Sequence, residues 1–260
     1  MKKIPTIHSK SKPKILVGIN SLVSSMQPAY SNHIQLFYRL GRSYSKIDFA
    51  LYNPSRMSID RMRNQCAETA LDMEASHLLF IDDDVLIPHP YDFLEKLLAC
   101  KADIAAADVL IRGWPFDHMF FNYSDKEHIG LRAVSKVKKP LGPIEVDAVG
   151  FSCCLISVEL LKKLRKPYFV TGLNNTEDIY FCVLAKDTDP KCKIMVDTSI
   201  KCGHIFGPEI IDSDNITNYR QYFKKQFMPQ LTDKEKQFRG INYYNVMQNS
   251  FKEANKNEKA

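Results

Sequence analysis

The sequence has no apolar run long enough to cross a bilayer. Its longest, residues 15–19 (ILVGI) and 78–81 (LLFI), fall far short of the ~18 residues a spanning helix needs. The opening is basic (MKKIP), yet residues 8–14 bring Ser, Lys and Pro where a signal peptide has its apolar core. Residues 1–13 are therefore expected to form a flexible basic leader, and the protein to be cytoplasmic with at most peripheral membrane contact. No CxxC pair occurs among the seven cysteines, an odd number in a chain too long to depend on disulfides. Cys66, Cys100, Cys153, Cys154, Cys182, Cys192 and Cys202 are expected to be reduced and buried. Cys192, Cys202 and His204 would make only part of a zinc site, because a fourth ligand and the knuckle spacing are missing. A dense basic stripe is absent too. Lys and Arg number 36 against 30 Asp and Glu, a net charge of +6, which argues against nucleic acid and fits an anionic ligand or surface. There is no internal repeat. What remains is ordinary globular composition, with 260 residues, 45% hydrophobic and 25% charged, enough for one domain of generous size.

Short apolar, β-branched runs alternate with helical periodicities from residue 14 to residue 110. Strands are expected at 14–20 (KILVGIN), 47–52 (IDFALY), 77–81 (HLLFI) and 103–110. Helices are expected at 31–42, at 57–74, where Met62, Cys66, Ala70 and Met73 recur on one stripe, and at 91–100. Residues 111–143 lose periodicity and carry Gly, Pro, aromatics and the cluster Lys136, Lys138 and Lys139, as a long functional loop would. Order returns with strands at 145–149, 154–156 and 193–197 and helices at 158–165 and 176–186. Two further helices are expected in the polar tail, at 215–226 and 232–251. This alternation predicts an α/β fold with a mainly parallel sheet flanked by helices. Ligands of such sheets bind beyond the carboxyl ends of the strands. Asn20 and Ser21, Asn53 and Pro54, and the triplet Asp82, Asp83 and Asp84 then share one rim.

Three consecutive carboxylates repel one another and add nothing to packing. Pinned between a buried strand and Val85-Leu86-Ile87-Pro88, they are not a freely solvated turn. Alternate side chains of an extended segment share a face, so Asp82 and Asp84 can converge on a hard cation such as Mg²⁺ or Mn²⁺. Two enzymatic readings fit. One is the metal-bridged diphosphate site of a nucleotide-sugar glycosyltransferase. The other is a haloacid-dehalogenase-like phosphatase using Asp82 and Asp84, although that motif belongs on a first strand and here lies on the third. A non-catalytic module binding nucleotide or carbohydrate, with structural acids, is the reading outside enzymes.

Residues 61–88 (RMRNQCAETALDMEASHLLFIDDDVLIP) resemble the GT-A glycosyltransferases, above all their family 2-like branch, where a helix opening with Arg-Asn leads into a DxD strand. Residues 175–187 (NTEDIYFCVLAKD) are similar to that family's acidic TED motif at a helix start, and 194–204 (IMVDTSIKCGH) to the strand and terminal His that follow. The resemblance implies a Rossmann-like GT-A catalytic domain at 14–209, an acceptor-side loop at 111–143, and a helical C-terminal extension at 210–260 suited to homo-oligomer contacts. It implies transfer of a hexose or N-acetylhexosamine from a nucleoside diphosphate, UDP above all, to a hydroxyl of a glycan, lipid-linked or protein acceptor. Asp84 and His204 would bind Mn²⁺ or Mg²⁺ with help from Asp82, which would hold the ribose or a metal-bound water, and Asp83 would flank them. Asp178 would be the general base of an inverting reaction, positioned by Glu177. Arg63 and Asn64, with Arg56 before their helix, would meet the base or diphosphate, and Asn20 and Ser21 the nucleoside. Gly150 and Phe151, with Arg112 and the single Trp, Trp114, would line the sugar and acceptor pocket. Each has a plainer explanation alongside. Acids in a first turn favour a helix dipole, a lone Gly in a strand marks a bulge, an Arg on a helix is solvated, and a Trp caps a core.

Overall fold

A computed structural model describes residues 12–21, 27–42, 47–89, 91–113, 115–123, 131–134, 136–172, 176–206, 209–222 and 225. The first half runs β1 (Lys14–Asn20), α1 (Gln27–Arg42), β2 (Asp48–Tyr52), α2 (Ile59–Asp72), β3 (His77–Asp82), β4 (Val85–Leu86), α3 (Phe93–Ala99) and β5 (Ile104–Asp108). Then come β6 (Phe120–Tyr123), β7 (Leu131–Ala133), β8 (Pro143–Glu145), β9 (Ala148–Val149), β10 (Cys153–Ser157) and α4 (Val158–Leu161). The remainder is α5 (Glu177–Thr188), β11 (Ile194–Lys201), β12 (Gly203–Phe206), β13 (Glu209–Ile211) and α6 (Ile216–Tyr222).

Seven strands form the central sheet in the order β2-β1-β3-β10-β5-β11-β8. β1, β2, β3, β5 and β11 point one way, while β10 and the edge strand β8 run against them. The sheet is therefore the mainly parallel, helix-covered one that the alternating pattern predicts. β1 and β3 are buried almost throughout, which explains their unbroken apolar runs. One face packs on α2 and α5 through Cys66, Ala67, Ala70, Phe181 and Cys182. The other face packs on α1 and α3 through Leu36, Leu40, Phe93 and Leu97. Gly18 is what lets α2 approach β1, since a Cβ there would lie 2.9 Å from Cys66 Sγ and 3.2 Å from Phe80 Cδ1.

Several boundaries differ from the sequence expectation. α1 begins at Gln27, four residues ahead of 31, and its Pro28 is tolerated because the first helical turn needs no backbone donor. The helix expected over 158–165 stops at Leu161, and turns carry the chain on to Lys166 and Pro167. The strand expected over 145–149 divides: β8 pairs with β11, while β9 turns away to pair with β6. The 111–143 stretch is not wholly loop, since β6 and β7 pair within it and join β9 in a second, three-stranded sheet. In the tail, α6 falls inside the 215–226 expectation, whereas the leader to residue 11 and the 232–251 helix lie outside the described residues. All seven cysteines are buried and unpaired. Burial pushes the Cys66 and Cys192 thiols up to about 12, against thiolate ligation. Among the described residues no helix is long and apolar enough to cross a membrane.

Candidate functional site

β1 and β3 end side by side, with Asn20 opposite Asp82. The triplet therefore leaves the sheet at its carboxyl rim. The turn after it is held from α1, where Asn32 bonds both backbone groups of Ile87, at 2.8 and 3.0 Å, and His33 Nε2 donates to the Val85 carbonyl at 2.9 Å. Antiparallel β10 begins at this same rim, so Ser152, just before it, meets Asp82. The Ser152 hydroxyl donates to Asp82 Oδ2 at 2.8 Å, and Arg63 Nη2 pairs with Asp82 Oδ1 at 3.2 Å. Burial raises the Asp82 pKa, with Arg63 and Ser152 working against the rise.

Arg63 sits on the buried face of α2, only 2% exposed. Its Nε donates to Glu177 Oε1 at 2.9 Å, Nη1 to the Phe151 carbonyl at 3.3 Å, and its guanidinium carbon lies 4.8 Å from the Phe80 ring centroid. Burial opposes its charge, but Asp82, Glu177 and Asp178 outweigh that and raise its pKa. Glu177 is raised by burial in turn, offset in part by Arg63. Arg63 thus ties α2, β3, the β9–β10 turn and the start of α5 into one frame.

The pairing of β12 with β4 sets His204 opposite Val85, and the Ile205 amide donates to the Asp84 carbonyl at 3.0 Å. His204 Nδ1 lies 2.6 Å from the Leu110 carbonyl, which only accepts, so Nδ1 carries a proton. Nε2 is left facing Asp84 Oδ1 at 3.5 Å. Asp84 Oδ2 pairs with Arg112 Nη1 at 2.6 Å. Burial pushes the Asp84 carboxyl up, but His204 and Arg112 outweigh it and bring the pKa below the usual carboxylate range. Among the described residues no three His, Cys, Asp or Glu side chains converge as a metal cluster. The donor set at Asp84 and His204 nevertheless fits a divalent cation that takes its remaining ligands from phosphates. A carboxylate oxygen and an imidazole nitrogen with its far side fixed face each other across a gap, and both are acceptors unless a proton or cation lies between them.

At the start of α5, Thr176 occupies the N-cap position, yet its hydroxyl caps no backbone amide. It donates instead to Asp178 Oδ1, which also accepts from the Ile179 amide at 2.8 Å. Asp178 Oδ2 points the other way, 3.5 Å from where a Cβ on Gly150 would stand. A cavity of about 900 Å³ brings together Asn20, Arg63, Asp82, Asp83, Asp84, Arg112, Glu177, Asp178 and His204. The Asn20 side-chain nitrogen is buried there without a hydrogen-bond partner, and Asp83 is half-buried, its pKa raised by burial. Ser21 is buried behind them, its hydroxyl facing Asp83 without closing a hydrogen bond.

Other expected residues stand elsewhere. Asn64 is consumed by the 168–169 backbone, accepting from Tyr168 N (2.9 Å) and Phe169 N (3.2 Å) and donating to Phe169 O (2.7 Å) and Asp60 O (2.8 Å). Arg56 is exposed at positive φ and does not line the cavity. The Phe151 ring packs among Phe80, Phe169 and Phe181, and only its carbonyl serves the site, through Arg63. Trp114 lies outside the described residues. Sequence reasoning missed Ser152 and the bond from Thr176 to Asp178. The signal for Ser152 was present, as the one hydroxyl between Gly150-Phe151 and two cysteines at a strand start.

No family model matches the chain, and a search of curated proteins found no match. Solved structures do resemble it. A197 from STIV superposes with a TM-score of 0.55 at 19% identity, covering 77% of this chain and 91% of that one, a likeness of fold. S. aureus TarS residues 1–349 follow at a TM-score of 0.40, with 16% identity over 72% of this chain and 60% of that one. The same TarS segment has been solved in complex with UDP-GlcNAc.

Proposed function

We propose that the protein is a metal-dependent glycosyltransferase that moves a sugar from a nucleoside diphosphate, UDP in the first instance, to an acceptor hydroxyl with inversion. The carrying observation is that the Asp84–His204 pair and the unengaged oxygen of Asp178 line one cavity at the sheet rim. Asp178 is the general base. Thr176 and the Ile179 amide hold one carboxylate oxygen, and the other is left to take the acceptor proton. Glu177 orients Arg63 and does not itself react. Asp82, engaged by Arg63 and Ser152, is a positioning residue. The side-chain nitrogen of Asn20, which lacks a hydrogen-bond partner, serves the nucleoside. Mn²⁺ or Mg²⁺ held by Asp84 and His204 would supply Lewis-acid stabilisation of the departing diphosphate.

The acceptor class we propose is a glycan, lipid-linked or protein hydroxyl, met in the cytoplasm. The test is nucleotide release from UDP-, GDP- and dTDP-sugars with Mn²⁺. Asp178→Asn should abolish transfer while leaving UDP and Mn²⁺ binding within about twofold, since no donor ligand is removed. Turnover by that variant at the parent rate would remove the base assignment, and turnover indifferent to EDTA would remove the metal. Release of phosphate from simple phosphomonoesters would favour the phosphatase instead. Binding without any release would favour a non-catalytic module.

A further inference from the structure

The segment after β5 carries Arg112 on a fixed backbone. The Ile111 amide donates to the Asp117 carbonyl at 2.8 Å, and the Phe116 amide to the Gly113 carbonyl at 2.6 Å. Phe116 is buried with Leu110, Ile211 and Ile216. From α6, Arg220 donates to the carbonyls of Pro115 at 2.7 Å and Phe116 at 3.2 Å and pairs with Asp117 at 2.7 Å. The side chain of Arg112 is the part with room to turn. It is 48% exposed, against 12% for Asp84 and 7% for His204.

We propose that Arg112 competes with the divalent cation for Asp84 and, once displaced, binds the diphosphate, so that metal and nucleotide bind only weakly apart and tightly together. This rests on the nucleoside-diphosphate reading of the site. Without ligand, the guanidinium on Asp84 Oδ2 is the positive charge that the carboxylate needs. A cation placed between Asp84 and His204 would stand beside that guanidinium and repel it. An ion pair with one half-exposed partner is weak enough to yield. The freed guanidinium keeps its fork of donors at the cavity wall, where a phosphate suits it. Cation alone must therefore evict Arg112 with nothing to receive it. Cation with diphosphate exchanges one partner for another. By linkage, each ligand then strengthens the other by the same factor.

Mn²⁺ titrations followed by the electron paramagnetic resonance of free Mn²⁺, with and without UDP, test this on the whole protein. Arg112→Gln should bind Mn²⁺ alone several-fold more tightly and UDP more weakly, and the mutual enhancement should fall by about tenfold. Arg112→Lys keeps the competing charge and loses the fork, so its Mn²⁺ affinity should stay low while UDP still weakens. Equal thermal midpoints show that the variants remain folded. Wild type binding both ligands, with Arg112→Gln unchanged or weaker for Mn²⁺ alone, overturns the competition and leaves the donor site standing. Wild type binding neither ligand overturns both.

Discussion

Replacing Arg63 with Met should be the most costly single change to the frame of the site. The arginine pairs with Asp82 at 3.2 Å and Glu177 at 2.9 Å, with side chains 20% and 8% exposed and its own 3%. Methionine fills much of the volume over Phe80 but leaves the buried Glu177 and the partly buried Asp82 without their cation. Breaking one buried pair costs about 3–5 kcal/mol. Asp82 keeps its 2.8 Å bond from Ser152, so the pair at Glu177 dominates. At ~2–4 °C per kcal/mol for a domain of this size, the midpoint should drop by about 6–20 °C. The pH dependence has a definite sign. Burial already raises Asp82 and Glu177, and loss of Arg63 raises them further. For a carboxyl raised in the folded state, the unfolded chain releases its proton first, so stability falls as pH climbs from the ordinary carboxylate range through the raised value. The deficit should therefore be largest near neutrality and should shrink toward about pH 5. Thermal and urea unfolding at both pH values measure it. Arg63→Lys, which keeps the charge without the fork, should fall between. A deficit below about 1 kcal/mol, or one equal at both pH values, would refute the frame.

Two further changes separate scaffold from site. Asn64→Ala removes three hydrogen bonds at the 168–169 backbone and one to the Asp60 carbonyl and should cost about 2–3 kcal/mol in urea unfolding. UDP affinity should be unaltered, and a large loss of it would return Asn64 to the donor site. Gly18→Ala sets a methyl 2.9 Å from Cys66 Sγ and should destabilise by about 1–3 kcal/mol, which calorimetry would detect; a neutral result would mean that α2 can shift away freely.

The reach of the sequence follows the range of the interactions. β1, β3 and α2 were legible because each is specified by its own residues: an unbroken apolar run, or an apolar stripe at helical period. The rim and its acidic triplet followed from the order of those elements. Three features were not legible. Nothing in residues 153–157 marks β10 as antiparallel, since a buried strand reads alike in either direction. β6, β7 and β9 are too short to carry a period, so 111–143 read as loop. The partners that hold Arg63 were hidden as well, since Phe151 and Glu177 lie 88 and 114 positions away. The partners of Asn64 were hidden in the same way, its four bonds reaching mostly to residues 168 and 169.

The reversed strand β10 also has a consequence for how the protein is made. Because it starts where its neighbours finish, Ser152 and the Phe151 carbonyl reach Asp82 and Arg63 only after the chain has doubled back. The Ser152–Asp82 bond spans 70 positions and the Arg63–Glu177 pair 114. A nascent chain that has emerged only as far as β5 holds the acidic triplet and Arg63 but lacks Ser152, Glu177, Asp178 and His204. The site is therefore completed late, once residues 152, 177–178 and 204 have joined the triplet. Truncation after β5 should yield a fragment that loses the whole site, not one with a weakened version of it.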